Sequence, residues 1–419
     1  MRSRLVFHLV LWIVIGILVV YQSGCAPSGC EIRNKLVSPS VLEAASLQYY
    51  WQAKLPLQRG ETVRNLWWCN ENLYALTNRN RLIATDAVSG KYLWSFTIRG
   101  VQKVFAPCHV DKLVLPKSRG IAEIIEPNPK DLLAPFDAVI VNTLSKLMIL
   151  NRQTGQLVRQ FDLKFAANTP GCSDGVHYYV ASVKGRYYAI RLADGLCQWE
   201  MSTGDVITSR PRLFADRLYV ASQDGKFRAI DPTRISGNRY LWQQLTDGPI
   251  SSDFVVDKRG CFVPSEDYRL YAYDNFTGDA LWTFVTQGPL RQAVQVGRES
   301  IFQYAYGDRF YAIDIAKGRQ RWSLPNGRVV LAYARMNRKP YVFVLDCHNR
   351  LLLVREMLGK VEKSVPMIGL DLFIPNSLKP VIFAASKDGL LVCITPRSIK
   401  NLTSKMLREH PYKKFTLTE

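Results

Sequence analysis

Asp216-Arg217-Leu218-Tyr219-Val220-Ala221-Ser222, then Asp224-Gly225-Lys226-Phe227-Arg228-Ala229-Ile230-Asp231, then Gly237 and Trp242, is the stretch that decides the fold. Two short runs alternate side-chain character at a period of two, as a strand does when it buries one face at a time. An Asp-Gly pair separates them, and a second Asp with a later Gly closes the pattern. Both are turn chemistry, because Asp bonds the backbone ahead of it and Gly takes positive φ without steric cost. The same order recurs at Tyr179-Val180-Ala181-Ser182, Tyr188-Ala189-Ile190, Gly195 and Trp199. It recurs again at Ala272, Asp274, Gly278 and Trp282, at Ala312, Asp314, Gly318 and Trp322, and earliest at Ala84, Asp86, Gly90 and Trp94. Trp199, Trp242, Trp282 and Trp322 stand 43, 40 and 40 residues apart. A period near 40 holding several short strands is the spacing of a β-propeller. In that setting each Trp is a packing residue that opens the outer strand and lies against the next blade, with the small Ala leaving it room.

Weaker copies extend the ring on both sides. One runs through Val139-Ile140-Val141 and Leu147-Met148-Ile149-Leu150-Asn151 to Gly155, with Arg159 in the Trp place. Another runs through Tyr341-Val342-Phe343 and Leu351-Leu352-Leu353-Val354 to Gly359, with Lys363 there. The last, Val381 to Ile394, stops at Pro396 without an outer strand, while Tyr49-Tyr50-Trp51-Gln52-Ala53-Lys54 is an outer strand with no repeat before it. Trp51 lies 43 residues ahead of Trp94, one full period. Pairing the two ends leaves no open blade edge. The expectation is an all-β, eight-bladed propeller of four-stranded antiparallel blades over 48–396, its last blade closed by the N-terminal strand around Trp51.

Blade two is irregular, since Gly90 and Gly155 are 65 residues apart. Asp111-Lys112-Leu113-Val114-Leu115-Pro116 resembles Asp216–Ala221, so the blade is expected to begin there, with an insertion at about 117–136. Pro127, Pro129 and Pro135 break the strand pattern in it. Long loops within a compact domain tend to carry function, which makes this insertion the first candidate for partner contact.

Outside the ring, Arg2 and Arg4 precede an apolar run from Leu5 to Val20, and Ser23-Gly24-Cys25 follows. A basic start, an apolar middle and small residues before a cleavage point mark an export signal at 1–25. Cys25 sits where a lipoprotein signal places its acylated cysteine, although Gln22 replaces the aliphatic residue such signals carry. An uncleaved signal anchor and plain secretion are the other readings, and all three put the body outside the cytoplasm. Residues 26–47 read as a spacer and 397–419 as a basic tail with six Lys/Arg and two Glu.

The chain carries 55 Lys+Arg against 35 Asp+Glu, a formal charge of +20. That favours anionic partners such as acidic lipid or an acidic polymer. No Lys/Arg block is dense enough for a nucleic-acid arm. The nine cysteines are scattered, most at apolar strand positions, which suits buried thiols better than a disulfide framework. None has metal-ligand spacing, and the five His are isolated.

Ala272-Tyr273-Asp274-Asn275-Phe276-Thr277-Gly278-Asp279-Ala280-Leu281-Trp282 resembles the PQQ-like propeller repeat of quinoproteins over roughly 48–396. A lipoprotein-type signal before eight such blades resembles the BamB family, scaffold lipoproteins of the machinery that assembles outer-membrane β-barrels. The resemblance implies a non-catalytic, exported scaffold that binds protein partners at the periplasmic face of a membrane. Quinoprotein dehydrogenases share the blades but carry a vicinal Cys-Cys and clustered acidic and Asn calcium ligands. This chain has no adjacent cysteines, and Asp86, Asp231, Asp274 and Asp314 are explained by their turns. No cofactor and no metal are therefore expected. A PQQ-dependent dehydrogenase and a polysaccharide-binding propeller are the alternatives.

Overall fold

The computed structural model describes residues 36–100, 103–117 and 129–408. The expected export signal with Cys25, most of the expected spacer, the middle of the insertion and the last eleven residues of the tail lie outside them.

Each alternating run is a strand. In the blade that contains the deciding stretch, Arg212–Phe214, Arg217–Ala221, Lys226–Ile230 and Tyr240–Leu245 run from the axis outward in chain order. Among the described residues the strands form eight such four-stranded antiparallel sheets. Blades one to seven span 63–97, 108–162, 172–202, 212–245, 255–285, 295–324 and 327–366. The eighth is composite: Leu372–Phe373, Ile382–Ala385 and Leu390–Pro396 are completed on the outside by the N-terminal strand Leu47–Lys54. Trp51 pairs with Cys393 in that ladder. The core is divided among eight hydrophobic clusters, one in each seam between neighbouring blades, including the seam between blades eight and one. Each blade thus buries its faces only against its neighbours, which is why the ring must close to be stable.

Strands one and two, and strands three and four, join on one side of the ring. The chain enters at Leu47 and leaves after Pro396 on that same side, since these two residues are paired. We call it the proximal face. The distal face carries the turns between strands two and three and the connectors from blade to blade.

Three details refine the expected boundaries. Blade two begins at Cys108, three residues before Asp111. The innermost strand is Cys108–Leu113 and the second is Phe136–Asn142, which buries its last five residues. A register shift between Val110 and Leu113, with Lys112 at φ +52°, ends the inner ladder early. The insertion consequently joins strands one and two on the proximal face, and its base is a short ladder in which Pro116 faces Leu132.

The spacer stops short of residue 47. Helix Pro39–Ala44 packs Leu42, fully buried, with Val37 and Ala45 into the seam between blades seven and eight. The basic tail packs on the ring as far as Arg408. Leu402 and the helix residue Leu407 are buried in the seam between blades eight and one, and the Leu402 N–H donates to the Tyr50 hydroxyl at 2.8 Å. In both cases a few apolar residues in a polar-looking segment find a seam end to cover.

Candidate interaction surface

The repeated Trp residues are consumed by packing. Trp94 lies on Gly155 of the next blade so closely that a Cβ there would meet its ring at 2.5 Å, and its Nε1 donates to the Arg152 carbonyl at 2.7 Å. Trp51 on Gly90, Trp242 on Gly278, Trp282 on Gly318 and Trp322 on Gly359 repeat the contact around the ring. Gly is needed because these turns hold positive φ, +64° to +84° across the five, and because the indole leaves no space for a side chain. The Ala opposite each Trp (Ala84, Ala229, Ala272, Ala312) is its cross-strand partner in its own blade, so the room is made by glycine on the neighbour. Ala189 faces Trp199 in the same way, but Trp199 does not cover a glycine. Its Nε1 reaches Pro232 O at 2.9 Å, and Arg239 lies 4.8 Å over its ring. Where blade two carries Arg159, the guanidinium donates to the equivalent carbonyl, that of Ala193, and Phe161 covers Gly195. The turn aspartates spend their oxygens locally: Asp274 Oδ1 accepts from the N–H of Phe276 at 2.8 Å and Thr277 at 2.7 Å.

A calcium-held quinone would sit against the axial side of the innermost strands. Register equivalence places Trp67, Cys108, Cys172, Arg212, Val255 and Gln295 at one level. Gln295 is spent bridging to blade seven, accepting from Val330 N–H and donating to its carbonyl, both at 2.8 Å. Burial pushes the Cys108 thiol up to about 11 and Cys172 higher still, so both stay protonated. Among the described residues no three His, Cys, Asp or Glu side chains converge as a metal site. None of the seven described cysteines is in a disulfide. These residues do not fit the cofactor.

On the proximal face the C-terminal tail is stapled across blades one and two. Arg152, 6% exposed, pairs with Glu71 at 3.4 Å, Asp111 at 2.6 Å and Asp137 at 2.7 Å, and Arg408 of the tail joins Glu71 at 3.3 Å. His109 sits against this cluster, 2.8 Å from the Tyr74 hydroxyl and 3.2 Å from Arg152. Burial, then the Arg152 charge, holds its imidazole at about 3 in spite of Asp137, so it is neutral at pH 7.

The distal face varies where the scaffold repeats. Val183, Gln223, Glu266, Tyr306 and Cys347 occupy one equivalent turn position, each N–H donating to the connector beside it, and the Val183, Tyr306 and Cys347 side chains are exposed. At the next part of the turn, blades four to six carry Asp224, Asp267 and Asp308, which accept from connector N–H groups of Gly204, Asp247 and Gln287. Blades one and three carry Arg79 and Lys184 instead. This turn position is thus basic on blades one and three and acidic on blades four to six. Sequence reasoning missed this because it sought function in motifs. The only available signal was the non-repeating turn positions, which become visible once the blades are set in register.

The family model described as outer membrane protein assembly factor BamB matches residues 144–239 and 234–361. BamB from Moraxella catarrhalis shares the fold at 15% identity over 83% of this chain and 97% of that one, with a TM-score of 0.58. The computationally designed Ika8 protein does so at 12% identity over 82% and 98%, with a TM-score of 0.59. No curated protein matches the chain. A designed propeller scoring as well as a natural one shows that these likenesses report the ring alone.

Proposed function

Since the chain belongs to the family of outer membrane protein assembly factor BamB, we propose that it is a non-catalytic scaffold that holds protein partners at the outer membrane during β-barrel assembly. The family match over 144–361 carries this reading. The side chains that could have supplied chemistry support it: the indoles cover glycines of the next blade, and the turn aspartates cap backbone N–H groups. What remains for function is the loop surface of a rigid ring, which suits binding. We assign Cys25 as the acylated tether, with the ring in the periplasm. The proximal insertion, rooted in the seam by Leu115 at 1% exposure, is one contact surface.

The test is affinity purification of the full-length protein from detergent-solubilised envelopes. Barrel-assembly proteins are expected to co-purify in stoichiometric amounts. PQQ- and calcium-dependent dye reduction above a heat-denatured control would replace this reading with the enzyme one.

A further inference from the structure

The distal cations of blades one to three are contiguous. Arg79 donates to Arg59 O at 2.9 Å, and Asn80 beside it donates to Gly100 O at 2.9 Å, next to Arg99. Arg99 and Lys146 line the same groove. Leu163 N–H bonds Ser145 O at 2.7 Å, joining Lys146 to Lys164, and Val183 N–H bonds Ala166 O at 2.9 Å, joining Lys164 to Lys184. The nearby carboxylate Glu61 is buried and already paired with Arg81 at 2.5 Å. Asp162 and Asp205, both exposed, are the carboxylates that interrupt this path on blades two and three. The path ends at blade eight, where Lys54 pairs with Asp388.

Between blades one and two this path crosses a groove of about 590 Å³. Phe96, Ile98, Met148 and Leu157 give it an apolar lining, and Arg99 and Lys146 stand in it with Gln160. A ligand that satisfies both parts carries several negative charges along an extended length and at least one bulky apolar group.

From this geometry we propose that the distal face of blades one to three binds an acidic, extended segment of a partner protein, anchored by an apolar side chain in the groove between blades one and two. The proposal rests on the scaffold reading above and names the chemistry of one partner contact. A membrane surface is the competing anion. A bilayer surface presents no protruding apolar side chain to enter the groove lined by Phe96, Ile98, Met148 and Leu157, whereas an extended protein segment supplies both the charges and the anchor.

The test uses full-length protein in detergent and a fluorescein-labelled, glutamate-rich peptide with interspersed leucines, read by anisotropy. The variant R79E/K146E/K164E/K184E is compared with K91E/R234E/K317E/K360E, which makes the same charge change on proximal turns. Circular dichroism and melting confirm that both fold. The distal variant is expected to bind at least about tenfold more weakly and the proximal one within about threefold of the parent. Raising salt from about 0.1 M to about 1 M shortens the screening length from about 10 Å to about 3 Å and should weaken the parent alone by a similar factor. L157D, which changes the groove and none of the cations, is expected to weaken binding as well.

Equal losses in the two quadruple variants, or no peptide binding by the parent, overturn the proposal. So does tight binding to vesicles of acidic phospholipid that the peptide fails to compete. Envelope purification with the distal variant separates the two claims. If barrel-assembly proteins are still captured and the parent does not bind the peptide, the distal contact is wrong and the scaffold stands. If the peptide binds the parent and neither protein captures them, the scaffold is wrong.

Discussion

Gly278→Ala and Gly237→Ala place the same methyl group at the same turn of neighbouring blades, with φ +84° and +76°. At Gly278 the new Cβ meets Trp242 Cδ2 at 2.7 Å, and at Gly237 nothing lies within 4 Å. Both variants pay the left-handed backbone cost of alanine, about 1 to 2 kcal/mol. Only Gly278→Ala also pushes an indole from its seat, and overpacking of this kind adds about 1 to 3 kcal/mol. The expected destabilisation is therefore about 2 to 5 kcal/mol for Gly278→Ala and about 1 to 2 kcal/mol for Gly237→Ala. Urea unfolding followed by both Trp fluorescence and far-UV circular dichroism measures this, provided the two transitions coincide and the slope is unchanged. Repeating Gly278→Ala in a Trp242→Ala background closes a double-mutant cycle whose coupling should equal the steric part. Equal losses for the two glycines, or a coupling near zero, refute the claim that the Trp–Gly seats lock blade to blade.

Trp51→Ala should cost about 3 kcal/mol, because it empties the closing seat on Gly90 and removes the 3.1 Å bond to Ala87 O. Deleting residues 48–56 should melt the whole ring, so a retained melting temperature would show that the strand does not close it. Burial alone would raise the Glu61 carboxyl, but hydrogen bonds from Arg81 and the Gln58 N–H outweigh it and hold it at about 2. A depressed carboxyl stabilises the fold above its unfolded value and loses that stabilisation as pH falls. Glu61→Gln should thus be less stable than the parent at pH 7 by roughly 2 to 3 kcal/mol, a gap that closes between about pH 4.5 and about pH 2 in acid-unfolding curves. Mass spectrometry of the protein from membranes should find an acylated Cys25 at the new N-terminus, and an intact Met1 contradicts the tether.

The ring was legible because a propeller repeats its solution. Once Ala229, Asp231, Gly237 and Trp242 are seen as one unit, every copy supports the next, and Trp51 one period before Trp94 locates the closing strand. Two things hid behind the same alternation. The bulge that follows Ala84, Ala189, Ala229, Ala272 and Ala312 leaves no compositional mark, although it sets how each outer strand meets its neighbour. Asp111–Pro116 resembles a second strand in residue type, but its first three residues end the innermost strand, where Lys112 turns left-handed. The docking of Leu42 and Leu407 was invisible because single apolar residues in polar segments show no period. The distal cations are exposed and non-repeating, and only the register of the strands brings Arg79, Lys146 and Lys184 onto one face.

The central claim, a scaffold acting in barrel assembly, is tested most directly in cells depleted of the protein. The quantity to measure is the folded β-barrel content of isolated outer membranes, read from the heat-modifiable mobility of barrel proteins. The account predicts a fall in folded barrels that the parent gene restores and a Cys25→Ser copy restores poorly. Unchanged barrel content after complete depletion would contradict it.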